Sequence, residues 1–239
     1  VYYQRRTDKS IIISDFHILK DSEMFLKVPI KSDKNSIIDK YALSFNWIGN
    51  CLNDEIQSLY NINISNNYQD FKYALRFWST PGLNFHYLDK SGNIASISAA
   101  SVPKRASNCN PNIPNPAWDT SYSWKVYEKL SDSIYSEYNP KRNFVASANN
   151  KLIQNSNTFI SNYWEPDSRI KRITELLSES VKFTYRDAQY MQNDYLSVYA
   201  REILKITFDV LKNYNSLLSE EEQFELNRLK KWDYIFSRG

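Results

Sequence analysis

The chain has 239 residues, which is long enough for one large domain or two small ones with a sizeable core. Its 42% hydrophobic and 24% charged residues are ordinary for a globular protein, and a net charge of +3 is too small to indicate a nucleic-acid partner. Four glycines and no G-x-G-x-x-G or P-loop pattern argue against a phosphate-binding loop, and no apolar run reaches membrane-spanning length.

Cysteine and histidine are scarce. Cys51 and Cys109 match no metal-ligand spacing, and the sequence leaves open whether they form one disulfide or remain separate thiols. His17 and His86 have no carboxylate or nucleophile placed beside them in sequence, so we interpret both as packing residues. The sequence therefore predicts no zinc site, and no cofactor is evident.

Short strands are predicted for the first 48 residues, because β-favouring runs alternate with charged turns. The runs are Ser10–Ile13, Phe25–Ile30 and Tyr41–Trp47. In the last run every second residue is large and apolar, which is typical of a strand with one buried face.

Two helices should follow. We expect Asn53 to cap the first, with Ile56, Leu59 and Tyr60 facing the core. We expect both helices simply to pack against a sheet.

The second helix is predicted to begin near Asn67 and to end at Pro81–Gly82. Phe71, Leu75 and Trp78 fall at i, i+4 and i+7, so they should share the buried face.

A β-hairpin comes next, because Leu83–Tyr87 alternates apolar and polar residues and the turn D-K-S-G-N leads into Ile94–Ala100. From Ser101 to Asn143 the chain is rich in Pro and Asn and shows no periodicity, so we predict a loop-like region. Its expected anchors are Trp118, Trp124 and Tyr127.

Residues 143–153 read N-F-V-A-S-A-N-N-K-L-I, which predicts a short apolar strand, Phe144–Ala148, that ends in two adjacent amides. Two interpretations remain open. Adjacent Asn residues commonly form turns, because Asn tolerates a left-handed backbone. Alternatively, Asn149 directs its carboxamide N–H at developing negative charge, with Arg169 behind it.

The remainder is predicted to be helical. One helix opens near Pro166–Ser168, with Ile170, Ile173 and Leu177 on one stripe. Thr184 with Asp187 resembles a capped start, and a long helix is expected to run through Tyr199, Ile203, Ile206 and Val210.

Ser219 and Glu222 form a capping-box pattern before a last helix, on which Phe224, Leu229 and Trp232 should point inward. The predicted class is therefore α+β, with a β-rich first half and a helical second half. We expect a single domain in which residues 1–102 mix strands and helices, 103–165 are loop-rich and 166–239 are helical.

Several ordered motifs resemble the large chain of the penicillin acylase (penicillin amidase) family. They span roughly residues 40–235, and each is weak alone, but their common order makes chance an unsatisfactory explanation. The motifs are F-N-W at 45–47, N-Y-Q-D-F-K-Y-A-L-R-F-W-S-T-P-G-L-N at 67–84, H-Y-L-D-K-S-G-N-I at 86–94, A-N-N-K at 148–151, W-E-P-D-S-R-I-K-R-I at 164–173, Q-N-D-Y-L-S-V-Y-A at 192–200 and L-K-K-W-D at 229–233.

This resemblance implies an N-terminal nucleophile hydrolase with a four-layer αββα fold, which cleaves the amide of a penicillin, a cephalosporin or an acyl-homoserine lactone. It implies that Asn149 is the oxyanion-hole Asn and that Arg169 supports it. It also implies a periplasmic or secreted location. The expected partners are a small acyl amide substrate and the other segments of a processed acylase, namely the small chain and the Ser-start part of the large chain, with no nucleic acid and no membrane.

The sequence also departs from the family pattern. It begins with Val1 and not with Ser, Thr or Cys, so we expect an internal part of the large chain that is inactive alone. The T-x-H-G-P pattern has only Leu26–Ile30 as a counterpart, and Thr158 stands where a calcium-binding acid is found in family members. The resemblance leaves calcium open for the full-length protein.

Two alternatives to an acylase remain. The first is a degenerate, non-catalytic binding protein that retains the acylase fold. The second is an interaction module with no acylase ancestry, which predicts that Asn149 and Arg169 lie far apart.

Overall fold

The computed structural model describes residues 7, 10–13, 43–51, 54–124, 126–130, 135–152, 159–179 and 182–236. The chain divides into two compact units, one of Val1–Tyr138 with Ser156–Ile160 and one of Asn139–Asn155 with Ser161–Gly239. The mixture of helices and strands agrees with the α+β class. The predicted strand Phe25–Ile30, the Leu26–Ile30 motif, the Asn53 cap, His17 and Thr158 lie outside the described residues.

The first unit opens on two very short strands. β1 (Ile11–Ile12) pairs with β2 (Ser44–Phe45). The expected buried face of the Tyr41–Trp47 strand is wrong in its described part, because Phe45 and Trp47 are 49% and 48% exposed. A two-residue pairing offers no sheet surface for them to cover, and their rings stack on each other with centroids 6.5 Å apart.

A long central strand organises the larger sheet of this unit. β4 (Ile94–Lys104) pairs antiparallel with β3 (Leu83–Leu88), with β5 (Val126–Leu130) and with β6 (Ser136–Tyr138). The predicted hairpin is thus confirmed. The loop prediction for 101–143 is wrong in three places, because β4 runs on to its last residue and β5 and β6 lie inside the supposed loop. β5 and β6 form because their backbone groups hydrogen-bond to β4, and the Pro- and Asn-rich composition of this region does not predict that pairing.

The tryptophans expected to anchor the loop behave differently from each other. Trp118 is 73% exposed, so it is not the buried anchor that the prediction expects. Trp124 is half-buried, and the Arg105 guanidinium lies 5.7 Å from its ring centroid and 5.4 Å from that of Phe159. The side chain of Tyr127 lies outside the description.

Helix α1 (Glu55–Ile64) buries a different face from the one predicted. Three apolar residues expected inside are exposed, namely Ile56, Leu59 and Tyr60. The inner face carries instead the fully buried Ser58, whose Oγ donates to Ala74 O at 3.0 Å. Since the serine is small and its hydroxyl is satisfied, the next helix can approach closely, and the polar residue takes the inner position.

Helix α2 (Tyr68–Ala74) confirms the second helix prediction. Asn67 caps it, because its Oδ1 accepts from the backbone N–H of Gln69 and Asp70. A 3-10 turn at Leu75–Phe77 replaces the predicted last turn. The core cluster consists of Phe71, Leu75, Trp78, Ile97 and Ala99.

Four α-helices lie in the described part of the second unit. They are α3 (Ser168–Ser178), α4 (Tyr185–Gln192), α5 (Val198–Leu211) and α6 (Glu220–Lys231). Capping boxes are confirmed at Thr184 with Asp187 and at Ser219 with Glu222. The single long helix predicted after Thr184 is wrong, because residues 193–197 separate α4 from α5 and Ser197 caps the second helix.

The sequence period predicts these helices but not which side of each is packed. Tyr199, Ile203, Ile206 and Val210 on α5 are all at least 44% exposed. On α6, Phe224 and Leu229 are exposed, which corrects their predicted inward orientation, while Trp232 is half-buried. The buried residues of these two helices are Val198 and Leu226. No helix among the described residues has the length and apolar content needed to cross a bilayer.

Candidate functional site

The predicted strand Phe144–Ala148 is wrong, because the segment pairs with no strand among the described residues. Asn143 and Asn149 have φ angles of 59° and 60°, so the chain changes direction on both sides of the segment. Asn is among the few residues that adopt this left-handed region readily. A strand ladder cannot continue through such positions, and a turn at residues 148–150 takes its place.

The second amide of the pair builds this turn. Asn150 is buried, and its Oδ1 accepts the N–H of Ala148 at 3.0 Å. The carbonyl of Asn149 accepts the N–H of Glu165 at 3.0 Å, which ties the turn to the segment leading into α3. The turn-former interpretation therefore describes Asn150, while the side chain of Asn149 is exposed and takes no part in closing the turn.

Arg169 lies directly against Asn149. Its Nη2 donates to Ala148 O and to Asn149 Oδ1, both at 2.8 Å. Asn149 and Arg169 are thus in hydrogen-bond contact, whereas the interaction-module alternative expects them far apart.

The contact with Arg169 fixes the orientation of the amide. A guanidinium has only donors, so it must face the carboxamide oxygen. The Nδ2 group of Asn149 then points away from Arg169, and it donates to no other side chain or carbonyl within the described part of the chain.

An arginine in the first turn of a helix is electrostatically unfavourable. The helix dipole places partial positive charge there, at a cost of about 0.3–1 kcal/mol for a nearby cation. Arg169 is the second residue of α3, and the Asp167 N-cap makes no side-chain capping bond. The two bonds to residues 148 and 149 offset this cost and explain why a cation occupies the position.

The Asn149 carboxamide therefore exposes its N–H donor, while the permanent cation of Arg169 binds its oxygen. Hydrogen bonding of a cation to Oδ1 polarises the amide and strengthens its N–H as a donor, by about 10–30% per bond. Such a donor suits an oxygen that becomes negative during a reaction. The catalytic roles of Asn149 and Arg169 remain predictions.

A second polar arrangement was not anticipated from the sequence. In the sheet of the first unit, Ser96 lies in register between His86 and Glu137, which places a serine, a histidine and an acid in one row. Burial lowers the pKa of His86, and the nearby Glu137 carboxylate opposes that shift. The Ser96 hydroxyl is buried and makes no hydrogen bond among the described residues, so His86 does not activate it as a nucleophile.

Metal and thiol chemistry have little support from the described residues. Among them, no group of three or more His, Cys, Asp or Glu side chains is placed to hold a metal ion. The carboxylate cluster that a calcium ion commonly binds is therefore not present among these residues. Cys51 and Cys109 are not joined in a disulfide, and both are half-buried.

Sequence reasoning missed the atoms that complete the site. The Ala148 carbonyl and the Glu165 N–H are backbone groups, which no motif names. The signals that pointed to the region were the A-N-N-K and W-E-P-D-S-R-I-K-R-I motifs, and their closest residues, Asn149 and Arg169, do meet.

A family model for penicillin amidase matches residues 4–239. The chain belongs to the penicillin amidase family. The match extends over both compact units and confirms the resemblance seen in the ordered motifs. Membership in the penicillin amidase family implies an amide hydrolase.

Proposed function

We propose that the protein hydrolyses an acyl amide and that this chain supplies the side-chain oxyanion donor, Asn149, with Arg169 holding that side chain in place. The observation that supports the proposal is the pair of 2.8 Å bonds from Arg169 Nη2, which leave the Asn149 N–H directed away from the arginine. Family membership supports the amide as the reacting bond.

The proposed chemistry needs a nucleophile from a different chain segment. A serine at the amino terminus of that segment attacks the amide carbonyl through Oγ, and its own α-amino group takes the hydroxyl proton. A free α-amine titrates near pH ~8, so it can act as a base near neutral pH. The proton then passes to the leaving amine, and water hydrolyses the acyl-serine ester to release the acid.

Asn149 acts at the tetrahedral step of this sequence. When the carbonyl carbon becomes tetrahedral, its oxygen carries negative charge, and a preorganised N–H lowers the energy of that state. One such donor is typically worth about 3–4 kcal/mol of barrier. The cation on Oδ1 keeps the N–H oriented before the substrate arrives, so no reorganisation is needed during the reaction.

The finer assignments are part of the same proposal. We propose an αββα N-terminal nucleophile fold for the complete protein, a β-lactam or acyl-homoserine lactone amide as the substrate, and a periplasmic or secreted location. The proposed partners are the small chain and the Ser-start part of the large chain. Membership in the penicillin amidase family supports these assignments.

The test is to purify the protein from its native source and to sequence the amino terminus of every polypeptide that copurifies. A companion that begins with Ser, Thr or Cys is the expected result, and chemical blocking of its α-amine should abolish amide hydrolysis. A protein that has no such terminus and hydrolyses no penicillin, cephalosporin or acyl-homoserine lactone would refute the proposal and favour a binding protein that retains the fold.

A further inference from the structure

Packing alone fixes helix α3, which carries Arg169, only loosely. None of the residues of α3 is fully buried, and its apolar residues, such as Ile170 and Ile173, are half-buried. Hydrophobic burial holds an element in proportion to the apolar area removed from water. The polar contacts of α3 must therefore have a large share in setting its position.

The strongest of these contacts joins α3 to the segment before α5. Arg172 donates from Nε and Nη2 to Asp194 Oδ2 at 2.8 and 2.5 Å, and these side chains are only 22% and 14% exposed. The other oxygen of Asp194 accepts the N–H of Leu196 at 2.8 Å. Asp194 is thus bonded on one side to the helix and on the other to the backbone that leads into α5.

Glu175 extends this contact to α5 itself. Arg172 Nη1 donates to Glu175 Oε2 at 3.1 Å, and Arg201 on α5 bonds to both oxygens of the same carboxylate. Arg172, Glu175, Asp194 and Arg201 form what we call the ion-pair cluster. It contains two cations and two anions, so its formal charges balance, and the Arg172–Asp194 pair is the part most shielded from solvent.

We propose that the ion-pair cluster is a positioning device that holds α3 so that Arg169 meets the Asn149 carboxamide. Its catalytic meaning rests on the proposed function, because the group being positioned is the proposed oxyanion donor. With a rise of about 1.5 Å per residue, Arg172 lies about 4.5 Å along the helix axis from Arg169, and the helix transmits a shift over that distance almost rigidly. A displacement of about 1 Å at the first turn takes a 2.8 Å hydrogen bond outside its normal range.

The chain offers matched controls. Asp194→Asn removes the carboxylate charge of the shielded pair. Glu202→Gln does the same to an exposed pair between α3 and α5, since Lys171 Nζ lies 2.7 Å from Glu202 Oε1 and both side chains are 48% exposed. Leu226→Ala creates a cavity in the same unit on α6, which carries no member of the cluster, and therefore tests whether lost stability alone disturbs the site.

The readout is the side-chain amide spectrum of the full protein labelled with 15N-asparagine. Asn149→Asp identifies the Asn149 signals by their loss, and Arg169→Ala gives their position without the arginine. We expect Asp194→Asn to move the Asn149 signals at least half of that way, while Glu202→Gln and Leu226→Ala leave them in place. Arg172→Lys, which keeps the charge but loses the two-point contact, should give a smaller shift in the same direction.

Unmoved Asn149 signals in both Asp194→Asn and Arg172→Lys would overturn the proposal, and so would an equal shift in Leu226→Ala. If Asp194→Asn fails to fold, Arg172→Lys decides. In the active protein, Asp194→Asn should lower kcat about 10-fold at unchanged KM, since misplacement by about 1 Å is costly for a transition-state contact. Because the spectrum needs no substrate, it tests the positioning even if Asn149 variants retain turnover and the proposed function fails.

Discussion

Substitutions of Asn149 can distinguish the role of its side-chain N–H donor from the role of the turn in which it lies. Asn149→Asp keeps an oxygen for Arg169 and a residue that tolerates a left-handed backbone, but it removes the N–H donor. Asn149→Gly keeps the backbone geometry and removes the whole side chain. Both variants should lower kcat in the full-length protein by at least about 10²-fold, with little change in KM, because the lost bond forms only with the negatively charged oxygen.

The stabilities of the variants should follow a different order from their activities. Asn149→Ala places a Cβ residue at φ 60°, which costs about 1–2 kcal/mol. Glycine avoids this strain but loses about 0.5–1 kcal/mol more backbone entropy on folding than alanine does. The alanine variant should therefore unfold about 0.5–1 kcal/mol more easily than the glycine variant, and the aspartate variant should stay close to wild type.

The assay combines initial rates on an acyl amide with urea unfolding of the same preparations. If Asn149→Asp or Asn149→Gly hydrolyses the substrate at the wild-type kcat, the oxyanion role of Asn149 is refuted. If activity instead falls in proportion to stability across the three variants, the turn and not the donor is what catalysis requires.

Three further predictions concern stability. Thr184→Ala and Ser219→Ala each remove the side-chain cap of a helix that begins with a full capping box, and each should lower the free energy of unfolding by about 0.5–2 kcal/mol in urea titrations; no change in either would contradict the observed caps. Glu55→Ala should cost about 1–3 kcal/mol, because Glu55 Oε1 accepts the N–H groups of Ser79 and Thr80, and Glu55→Gln, which keeps an oxygen, should cost less in the same assay. The hydrogen bond from Arg201 holds the pKa of Glu175 below its usual value. The ionised Glu175 carboxylate therefore contributes fully to stability above about pH 5, and this contribution disappears as the pH falls through the lowered pKa. In urea titrations, the difference in unfolding free energy between wild type and Glu175→Gln should shrink over that acid range.

The sequence predicted best those features that depend on neighbouring residues. Thr184 and Ser219 cap helices as expected, and the second helix begins near Asn67 as expected, because such start signals span only two or three residues. The hairpin of β3 and β4 was predicted for the same reason, since its turn and alternation are local.

Features that depend on distant residues were predicted less well. The inner face of α1 carries Ser58 and not the large apolar residues, because the bond to Ala74 lies 16 residues away. β5 and β6 exist because β4 pairs with them, which composition cannot show. The proximity of Asn149 and Arg169 was predictable only through family motifs, since 20 residues separate them.

The buried residues of β4 have a consequence for hydrogen exchange in this protein. Ala95, Ser96 and Ile97 pair with β3 and with β6, and all three side chains are buried. Their amide hydrogens should exchange with solvent only when the whole sheet opens. Helix α3 has no fully buried side chain, so its amides should exchange through smaller, local openings. Arg169 therefore lies on a helix that should open locally while the sheet stays closed. Amide hydrogens near the site should exchange faster than those of β4.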